Sequence, residues 1–379
     1  MISRGECAIL DAEVIILNRI SCINTAYEAD SLGYAVKAHF QAMGDAELTP
    51  DKKVIIKPNL LRGASPAKSI TTNPHLVDAV VRYLHGRGIT DITLADSSGG
   101  LYTPALMRGI YAACGMTGNG YTLNEDCSYE RVHKEGFRAF NILTPVLHAD
   151  IIINLPKLKT HSMTVMSGAI KNLFGVIPGL QKPELHCLNP DPEAFAAMLV
   201  ELSQVVAPTY TIIDAVDAME GDGPAGGEIC HPGLTIASRN IYSLDRFCAD
   251  EILQVGASRV PMLAASEHLM EESEVVGEWT RPDHGFVLPK SVSVDFVSIF
   301  PKSLRAPIRS FLDRALVAMP RIKKKICIGC GKCAESCPQH TISLVEKKAV
   351  LNLHSCISCF CCQEMCPVKA IKTVRRIKG

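Results

Sequence analysis

The amino-acid sequence predicts an α/β body with a mostly parallel sheet covered by helices on both faces, followed by a small α+β domain. Short β-branched runs alternate with amphipathic stretches from residue 12 to about residue 260, and nine of the sixteen cysteines fall within residues 327–366. The alternation is typical of α/β proteins. A chain of 379 residues that is 47% apolar can bury a full core and form two or three domains.

The predicted strands are apolar over nearly their whole length, as expected of a sheet covered on both faces. They are EVIIL, KVIIKP, DITLAD, DIIINLP and YTIIDAV. Apolar residues recur at helical spacing in LGYAVKAHFQAM, PHLVDAVVRYLHGRG, TPALMRGIYAACG, EAFAAMLVELSQVV and SLDRFCADEILQVG. Pro74 follows Asn73 at the start of one of these helices, and Gly86 and Gly88 stand at its end, which agrees with helix-capping preferences.

The region between the body and the cysteines is less regular. VLPKSVSVDFVSIF predicts either a last strand or a strap across the body. Residues 301–325 predict a basic amphipathic helix whose apolar side carries Leu304, Ile308, Phe311, Leu312 and Leu316. We expect this helix to link the domains by packing on the body, and contact with a membrane surface is the alternative. The predicted organisation is a body over 1–300, a linker helix over 301–325 and a cysteine domain over 326–379.

Two cysteine runs share one spacing, in which gaps of two, two and three residues are followed by proline. Bacterial two-cluster ferredoxins have this spacing, and the fourth cysteine of each run ligates the other cluster. Three thiolates on one tight loop can reach three corners of a cubane, so the fourth ligand comes from elsewhere. We therefore predict a ferredoxin-like domain with two [4Fe-4S] clusters. The first cluster is assigned Cys327, Cys330, Cys333 and Cys366, and the second Cys356, Cys359, Cys362 and Cys337.

Other uses of the cysteines are weaker interpretations. Zinc also binds four thiolates, but the doubled spacing favours clusters. Disulfides are not expected, because Asp11 and Glu13 interrupt the N-terminal apolar stretch that a signal peptide would need. No run of eighteen apolar residues exists to span a membrane, so we predict a cytoplasmic protein. Cys361 lies outside the repeat, and the seven cysteines of the body are expected to be small buried residues.

Charge is divided unevenly along the chain. Residues 301–379 contain 16 Lys and Arg against 4 Asp and Glu, whereas residues 1–300 contain 23 against 35. A basic module joined to an acidic body predicts that one docks on the other, or that an acidic partner binds. Nucleic acid is not an expected partner, because only Phe311 and Phe360 accompany the basic residues as aromatics.

Polar side chains follow the predicted strands, where the loops of an open α/β sheet form binding sites. Their concentration of cations predicts a site for a small anion, a carboxylate or a phosphate, although a solvated loop is the alternative. A neutral imidazole there can act as a general acid or base. The predicted catalytic residues are His161, Lys159 and Asp96. The predicted substrate-binding residues are Lys57, Asn59, Ser97, Lys157, Lys171 and Asn172.

A glycine-rich acidic loop follows the last predicted strand. GDGPAG matches the letters of a dinucleotide fingerprint, but Pro224 predicts an irregular loop instead of a strand-to-helix turn. Its backbone could bind an anion. Four acidic side chains could bind a hard cation, and a plain loop is an equal alternative. These side chains belong to Asp214, Asp217, Asp222 and Glu228.

The strand-end motifs together resemble a family catalogued as a domain of unknown function, DUF362. In chain order over residues 50–240 they are IKPNLL, TTNP, LADSSGG, NLPKLKTH, SGAIKNLFG and GDGPAGGE. Many members carry a C-terminal two-cluster ferredoxin domain, so the resemblance covers nearly the whole chain. It implies a cytoplasmic iron–sulfur protein of an anaerobic or facultative microbe, without specifying a reaction.

The preferred hypothesis is a ferredoxin-coupled reductase, which passes low-potential electrons through two clusters to an anionic small molecule with an activated C=C or C=O bond. Its external partner would be a ferredoxin-like or flavodoxin-like carrier. The sequence has no flavin fingerprint, although a flavin could bind without one. The alternatives are an electron-transfer and docking protein, and a non-redox isomerase or metal-dependent enzyme. A pocket lined by the strand-end residues near a cluster would favour the reductase.

Overall fold

The computed structural model describes residues 18–179, 181–291 and 316–377. The helices are α1 Ala29–Met43, α2 Pro74–Gly86, α3 Pro104–Ala113, α4 Thr144–Leu147, α5 Ala169–Asn172, α6 Gln181–Leu188, α7 Pro192–Val206, α8 Ile241–Phe247, α9 Pro261–Ala265, α10 Lys332–Glu335 and α11 Cys361–Met365. The α8 helix continues into a π-helical turn over Cys248–Ile252. All five predicted helical segments are present.

The strands of the body are β1 Asn18–Asn24, β2 Val54–Pro58, β3 Ile92–Leu94, β4 Thr122–Leu123, β5 Tyr129–Val132, β6 Phe140–Leu143, β7 Ile151–Leu155, β8 Lys157–His161, β9 Val165–Ser167, β10 Tyr210–Glu220, β11 Glu228–Cys230, β12 Leu234–Ser238 and β13 Ser273–Val276. Those of the cysteine domain are β14 Leu316–Ile322, β15 Ile342–Val345, β16 Lys348–Leu351 and β17 Ile371–Ile377. Four predicted strands are found as β2, β3, β7 and β10. The fifth, EVIIL, lies outside the described residues.

The main sheet has the strand order β13-β1-β12-β10-β7-β2-β3-β4. Its centre is parallel, from β10 through β7, β2 and β3 to β4. Strand β12 runs antiparallel to both β1 and β10. Strand β11 also pairs antiparallel with β10, and β9 with β8, at positions off this order. The predicted mostly parallel sheet is confirmed, and the antiparallel strands are additions to it.

Helices cover both faces of this sheet, and successive residues of a strand supply the two cores. Val54 and Ile56 of β2 pack into a cluster with the apolar sides of α1, α2 and α3. Ile55, between them, packs into the cluster that contains α5, α7, α8 and α9. Because side chains alternate along a strand, an uninterrupted apolar run serves both cores.

Strand β8 corrects the prediction that Lys157–His161 form a loop. Strand β10 is long enough to pair with β7 through Tyr210 and Thr211, and beyond them with β8. All five residues of β8 are buried. Side chains of alternate residues share one side of a strand, so Lys157, Lys159 and His161 project together.

The prediction of a linker helix over residues 301–325 is wrong for residues 316–322. Residues 316–322 form β14, which pairs antiparallel with β17 from Leu316↔Ile377 to Ile322↔Ile371. Pro320 lies in this strand, and a proline inside a helix would remove a hydrogen bond and clash with the preceding turn. The strand therefore belongs to the cysteine domain. Residues 301–315, and with them the membrane-surface alternative, lie outside the described residues.

The described part of VLPKSVSVDFVSIF, residues 287–291, contains no strand, and the remainder lies outside the described residues. Among the described residues, three side-chain hydrogen bonds join the cysteine domain to the body. His161 pairs with Glu364 at 2.9 Å, Lys369 Nζ donates to the Gly227 carbonyl at 2.8 Å, and Gln339 Nε2 donates to Cys187 Sγ at 3.3 Å.

Over residues 18–179, 181–291 and 316–377, no helix has the length and apolar character needed to cross a membrane.

Candidate active site

A cavity of about 90 Å³ lies between the carboxyl edge of the sheet and the cysteine domain. All nine body residues predicted for catalysis or substrate binding line it. The cysteine domain completes its wall with Ser336, Cys361, Glu364 and Met365. The structure therefore brings the predicted residues together, and their individual roles stay predictions.

Two of the lysines are neutralised within the body. Lys57 Nζ lies 3.0 Å from Asp96 Oδ1, and Lys157 Nζ lies 3.0 Å from Asp214 Oδ1. Tyr27 Oη accepts from Lys157 Nζ at 2.7 Å and donates to Asp214 Oδ1 at 2.8 Å. All four charged side chains are buried, so these pairs satisfy one another in place of water.

Lys159 has no such carboxylate partner. Its Nζ donates to Asn59 Oδ1 and to the Ile70 carbonyl, each at 2.7 Å. Asn59 in turn donates to Asn172 Oδ1 at 3.0 Å, and Asn172 donates to Asn154 Oδ1 at 2.8 Å. Burial lowers the pKa of Lys159 to about 7, so this ammonium group can lose its proton near neutral pH.

His161 is held as a neutral imidazole that faces the cysteine domain. Its Nδ1 accepts from the backbone N–H groups of Met163 at 3.0 Å and Thr164 at 3.2 Å. Nε2 therefore carries the proton and donates to Glu364 Oε1 at 2.9 Å. Burial, together with the charge of Lys171, lowers the pKa of His161 to about 4. Its single ring proton is thus already engaged by a carboxylate.

Among the further lining residues, the sequence prediction missed three that carry an amine, an imidazole or a carboxylate: Lys182, His186 and Glu364. Lys182 Nζ donates to the carbonyls of Ser97 at 2.6 Å and Ser98 at 3.3 Å, and burial lowers its pKa to about 7. His186 stacks on Phe195 with ring centroids 4.2 Å apart. Both residues lie on α6, which does not directly follow a strand in the sequence. Glu364 was missed because it comes from the other domain, where the motif consists of cysteines, including Cys362 and Cys366 two residues to either side of it.

Close backbone packing holds the lysine loops in place. A Cβ added at Gly175 would lie 2.2 Å from Asp96 Oδ1 and 2.4 Å from Lys57 Nζ, so only glycine fits there. The buried carboxylate of Asp245 accepts from the backbone N–H groups of Ala169 at 2.6 Å and Ile170 at 2.9 Å. This contact orients the first turn of α5, which carries Lys171.

The acidic side chains of the last loop do not converge. Asp214 pairs with Lys157, while Asp217 Oδ1 lies 2.7 Å from His231 Nδ1. Asp222 Oδ1 accepts from the backbone N–H of Lys290 at 3.1 Å, and Glu228 lies on the short strand β11. Within the described ranges, no three His, Cys, Asp or Glu side chains surround a point suited to a single metal ion. A cation site in this loop stays a prediction.

The eight repeat cysteines line two separate cavities of about 20 Å³ each. The first contains Cys327, Cys330, Cys333 and Cys366, and the second contains Cys337, Cys356, Cys359 and Cys362. Each set surrounds a space instead of a point, which suits a cubane because each thiolate ligates a different iron.

Backbone donors also reach the cysteine sulfurs. The N–H groups of Ala349, Thr341 and Ala370 donate to the sulfurs of Cys327, Cys337 and Cys366 at 3.4, 3.3 and 3.2 Å. Such hydrogen bonds help to set the reduction potential of a cluster. The donors and the cavities therefore both fit iron–sulfur ligation.

These features define an iron–sulfur protein in which an α/β body presents its strand ends to a ferredoxin-like domain. The chain belongs to the family described as domain of unknown function DUF362, whose model matches residues 54–250. A 4Fe-4S dicluster domain matches residues 319–367. The resemblance predicted from the sequence motifs is confirmed in both parts.

The chain is also similar to individual proteins. A thylakoid-associated protein of Synechocystis is 29% identical over 320 residues, which are 76% of this chain and 97% of that protein. The lactate racemase apoprotein of Thermoanaerobacterium thermosaccharolyticum aligns at 15% identity and a TM-score of 0.38, over 59% of this chain and 54% of that one. A Thermotoga maritima protein aligns at 12% identity and a TM-score of 0.34, over 49% and 50%. This chain spans about half of each solved protein.

The buried pair of Lys157 and Asp214 yields a stability prediction. Asp214→Ala leaves an unpaired buried ammonium group, so we expect the free energy of unfolding to fall by about 3–5 kcal/mol. Glu274→Ala is the matched control, because its pair with Arg19 is about half exposed and is expected to contribute less than about 1 kcal/mol. Urea unfolding of both variants measures the difference, and equal losses would contradict the prediction.

Proposed function

We propose that the protein is a reductase that transfers electrons from an external carrier to a small anionic substrate held between its two domains. The observation that supports this proposal most strongly is the shared cavity wall. Predicted binding residues of the body and side chains of α11 line the same space, and α11 contains Cys362 and ends directly before Cys366. A substrate there would lie beside cysteines proposed to ligate the clusters.

The number of clusters and their ligands are part of this proposal. We assign one [4Fe-4S] cluster to each cysteine-lined cavity, with the ligand sets predicted from the spacing. When bound, such clusters accept and release single electrons. The chain contributes the thiolates, the backbone donors to sulfur and the apolar walls around them.

Charge supports an anionic substrate. The Lys57 and Lys157 charges are balanced by Asp96 and Asp214, whereas Lys159, Lys171 and Lys182 face the cavity with Glu364 as the nearest further carboxylate in its wall. Lys171 Nζ lies 5.6 Å from the ring centroid of Phe174, and no hydrogen bond to it is found among the described residues. We assign Lys171 and Lys182 to the substrate carboxylate, and Ser97, whose carbonyl and hydroxyl oxygens accept from Lys182 Nζ, positions Lys182.

The reaction proposed is a two-electron reduction of an activated C=C or C=O bond. Two equivalents of a reduced one-electron carrier are oxidised, and the substrate gains two electrons and two protons. We assign one proton to Lys159, because its pKa of about 7 suits proton donation near neutral pH. The other comes from solvent. His161, whose proton is held by Glu364, is assigned to positioning that carboxylate instead of to acid catalysis.

The first test is anaerobic purification, with iron and sulfide analysis and mass spectrometry of bound small molecules. The protein is then supplied with reduced ferredoxin and a panel of 2-enoates and 2-oxo acids. About eight irons per chain and substrate-dependent oxidation of ferredoxin are expected. Conversion of a substrate without electron consumption would overturn the reductase in favour of isomerase chemistry. If no compound of the panel causes ferredoxin oxidation, and mass spectrometry finds no bound small molecule, the electron-transfer and docking protein would be favoured.

Lys159→Met should lower turnover about a hundredfold or more, because it removes the proposed proton donor while keeping the side-chain volume. His161→Gln can still donate to Glu364 and should lower turnover by less than about tenfold. Both rates are measured by ferredoxin oxidation in protein of unchanged iron content. The reverse order of effects would restore His161 as the acid, as the sequence predicts.

Anion binding should weaken as the pH rises. The lowered pKa of Lys159 and of Lys182, about 7 in each case, means that both ammonium groups lose protons as the pH passes neutrality. Only the protonated form attracts an anion, so affinity is greatest below pH 7. Above it, affinity should fall roughly tenfold per pH unit for each proton required.

Calorimetry with pyruvate, a small 2-oxo acid, from pH 6 to pH 8.5 measures this dependence. Lys182→Met should bind more weakly at pH 6 and show a shallower decline. Lys37→Met is the control, because Lys37 is exposed on α1, and it should reproduce the wild-type profile. A wild-type affinity that does not change with pH would contradict the assignment of these lysines.

A further inference from the structure

An exposed apolar patch covers the outside of the first cysteine cavity. Ile328 is 62% exposed and Leu344 is 47% exposed, yet both line the cavity that holds Cys330. Cys330 is itself exposed, and Ile326 and Val345 continue the exposed apolar surface along the chain. We call these five residues the outer patch.

The outer patch lies on rigid structure. Lys348 Nζ donates to the Cys327 carbonyl at 2.6 Å, which ties the hairpin β15–β16 to the cysteine loop. A Cβ added at Gly329 would lie 2.2 Å from the Lys347 carbonyl oxygen, so the loop and the hairpin turn are in close contact. The apolar side chains therefore have a defined position and lie beside a cysteine open to solvent.

Basic side chains lie around the outer patch. In residues 323–335 and in the β15–β16 hairpin, the exposed acidic residues are Glu335 and Glu346. The exposed lysines of these two segments are more numerous: Lys323, Lys324, Lys325, Lys332 and Lys347. An apolar centre with a charged rim is the usual composition of a transient protein interface. The sign of the rim selects a partner whose own surface is acidic.

We propose that the outer patch is the docking site of a small, acidic one-electron carrier protein of the ferredoxin type. The substrate cavity lies on the inner side of the cysteine domain, against the body, so the outer patch leaves the carrier free to exchange without opening that cavity. Within the first cysteine set, Cys330 is exposed whereas Cys327, Cys333 and Cys366 are buried, so a docked carrier would come nearest to the cluster at Cys330. This proposal rests on the clusters, and it stands whether or not the body is a reductase.

The test measures electron transfer from a reduced acidic ferredoxin to the oxidised clusters by stopped-flow spectroscopy, with no substrate added. The variant Lys324→Glu/Lys325→Glu reverses two rim charges. At low ionic strength its second-order rate constant should fall about tenfold or more, and the wild-type rate should fall as salt is added. Ile328→Ser should raise the ferredoxin dissociation constant while leaving the salt dependence unchanged.

Lys37→Glu/Arg82→Glu is the matched control, because it reverses two exposed charges on α1 and α2 of the body. Dithionite, a small reductant, should reduce all variants to the same extent, which shows that the clusters are intact. Equal ferredoxin rates in the rim variant and the control would overturn the proposal. A missing reductase activity with a normal rim effect would overturn only the proposed function.

A second, independent observation concerns Arg62, in the loop after β2. Its side chain is 8% exposed, and its Nε and Nη1 atoms have no hydrogen-bond partner among the described residues. A buried guanidinium group without acceptors costs several kcal/mol, so an anionic partner is expected. Neither of those two nitrogens is paired with Glu364, which is hydrogen-bonded to His161.

The neighbourhood of Arg62 leads to the cysteine domain. The preceding residue, Leu61, accepts through its carbonyl from the Gly99 N–H at 3.3 Å. A Cβ added at Gly99 would lie 3.0 Å from Met365 Sδ, and Met365 is next to Cys366. Burial lowers the pKa of Arg62, and the charges of Cys366 and Glu364 act in the opposite direction.

We infer that the Nε and Nη1 donors of Arg62 interact with the cluster ligated by Cys366 and raise its reduction potential. A cation there stabilises the reduced, more negative state of the cluster and so raises its reduction potential. Arg62 is thus a positioning and tuning residue contributed by the body, and its orphaned donors fit a group that carries negative charge.

The experiment is a redox titration followed by electron paramagnetic resonance, in Arg62→Met and Arg62→Lys at equal iron content. In Arg62→Met, one of the cluster potentials should become more negative by a tenfold change in the reduction equilibrium, which is about 59 mV for one electron. Arg62→Lys keeps the charge and should retain most of the wild-type value. Unchanged potentials in Arg62→Met would overturn the inference, as would equal shifts in both variants.

Discussion

The arrangement of the site depends on the difficulty of burying lysine charge at the edge of the sheet. Lys57, Lys157, Lys159 and Lys182 are all buried there. Removing an ammonium group from water costs several kcal/mol unless other groups replace the lost hydration. Two of these lysines are ion-paired, and the other two are hydrogen-bonded to carbonyl oxygens with lowered pKa values.

This constraint connects the two domains. Strand β8 projects Lys157, Lys159 and His161 toward one side, and the free cations on that side attract a carboxylate. Glu364 of the cysteine domain supplies it through its hydrogen bond to His161. The same short helix contains Cys362 of the second ligand set and ends directly before Cys366 of the first. The same contact therefore packs the domains together and balances charge in the cavity. The acidic body and the basic C-terminal region also attract each other, which favours the same association of the two domains.

Several errors of sequence interpretation could have been avoided, because the sequence contains features that indicate the observed structure. KLKTH alternates polar and apolar residues with the period of a strand, but its lysines favoured the loop interpretation. Pro320 argued against a helix that continued to residue 325. Lys182 and His186 had no local signal, because they lie on a helix whose approach to the strand ends depends on the path of residues 173–181.

The sequence by itself determined the α/β class, the two cysteine sets and the strand-end residues that meet in the cavity. These follow from local spacing and from the rule that parallel strands end at one edge of a sheet. Only the tertiary structure decided which lysines are neutralised, that the proton of His161 is held by Glu364, and that the cysteine domain forms a wall of the site. Those properties arise from contacts between residues up to 203 positions apart along the chain. Local spacing carries no information on such contacts, because they depend on how complete elements pack.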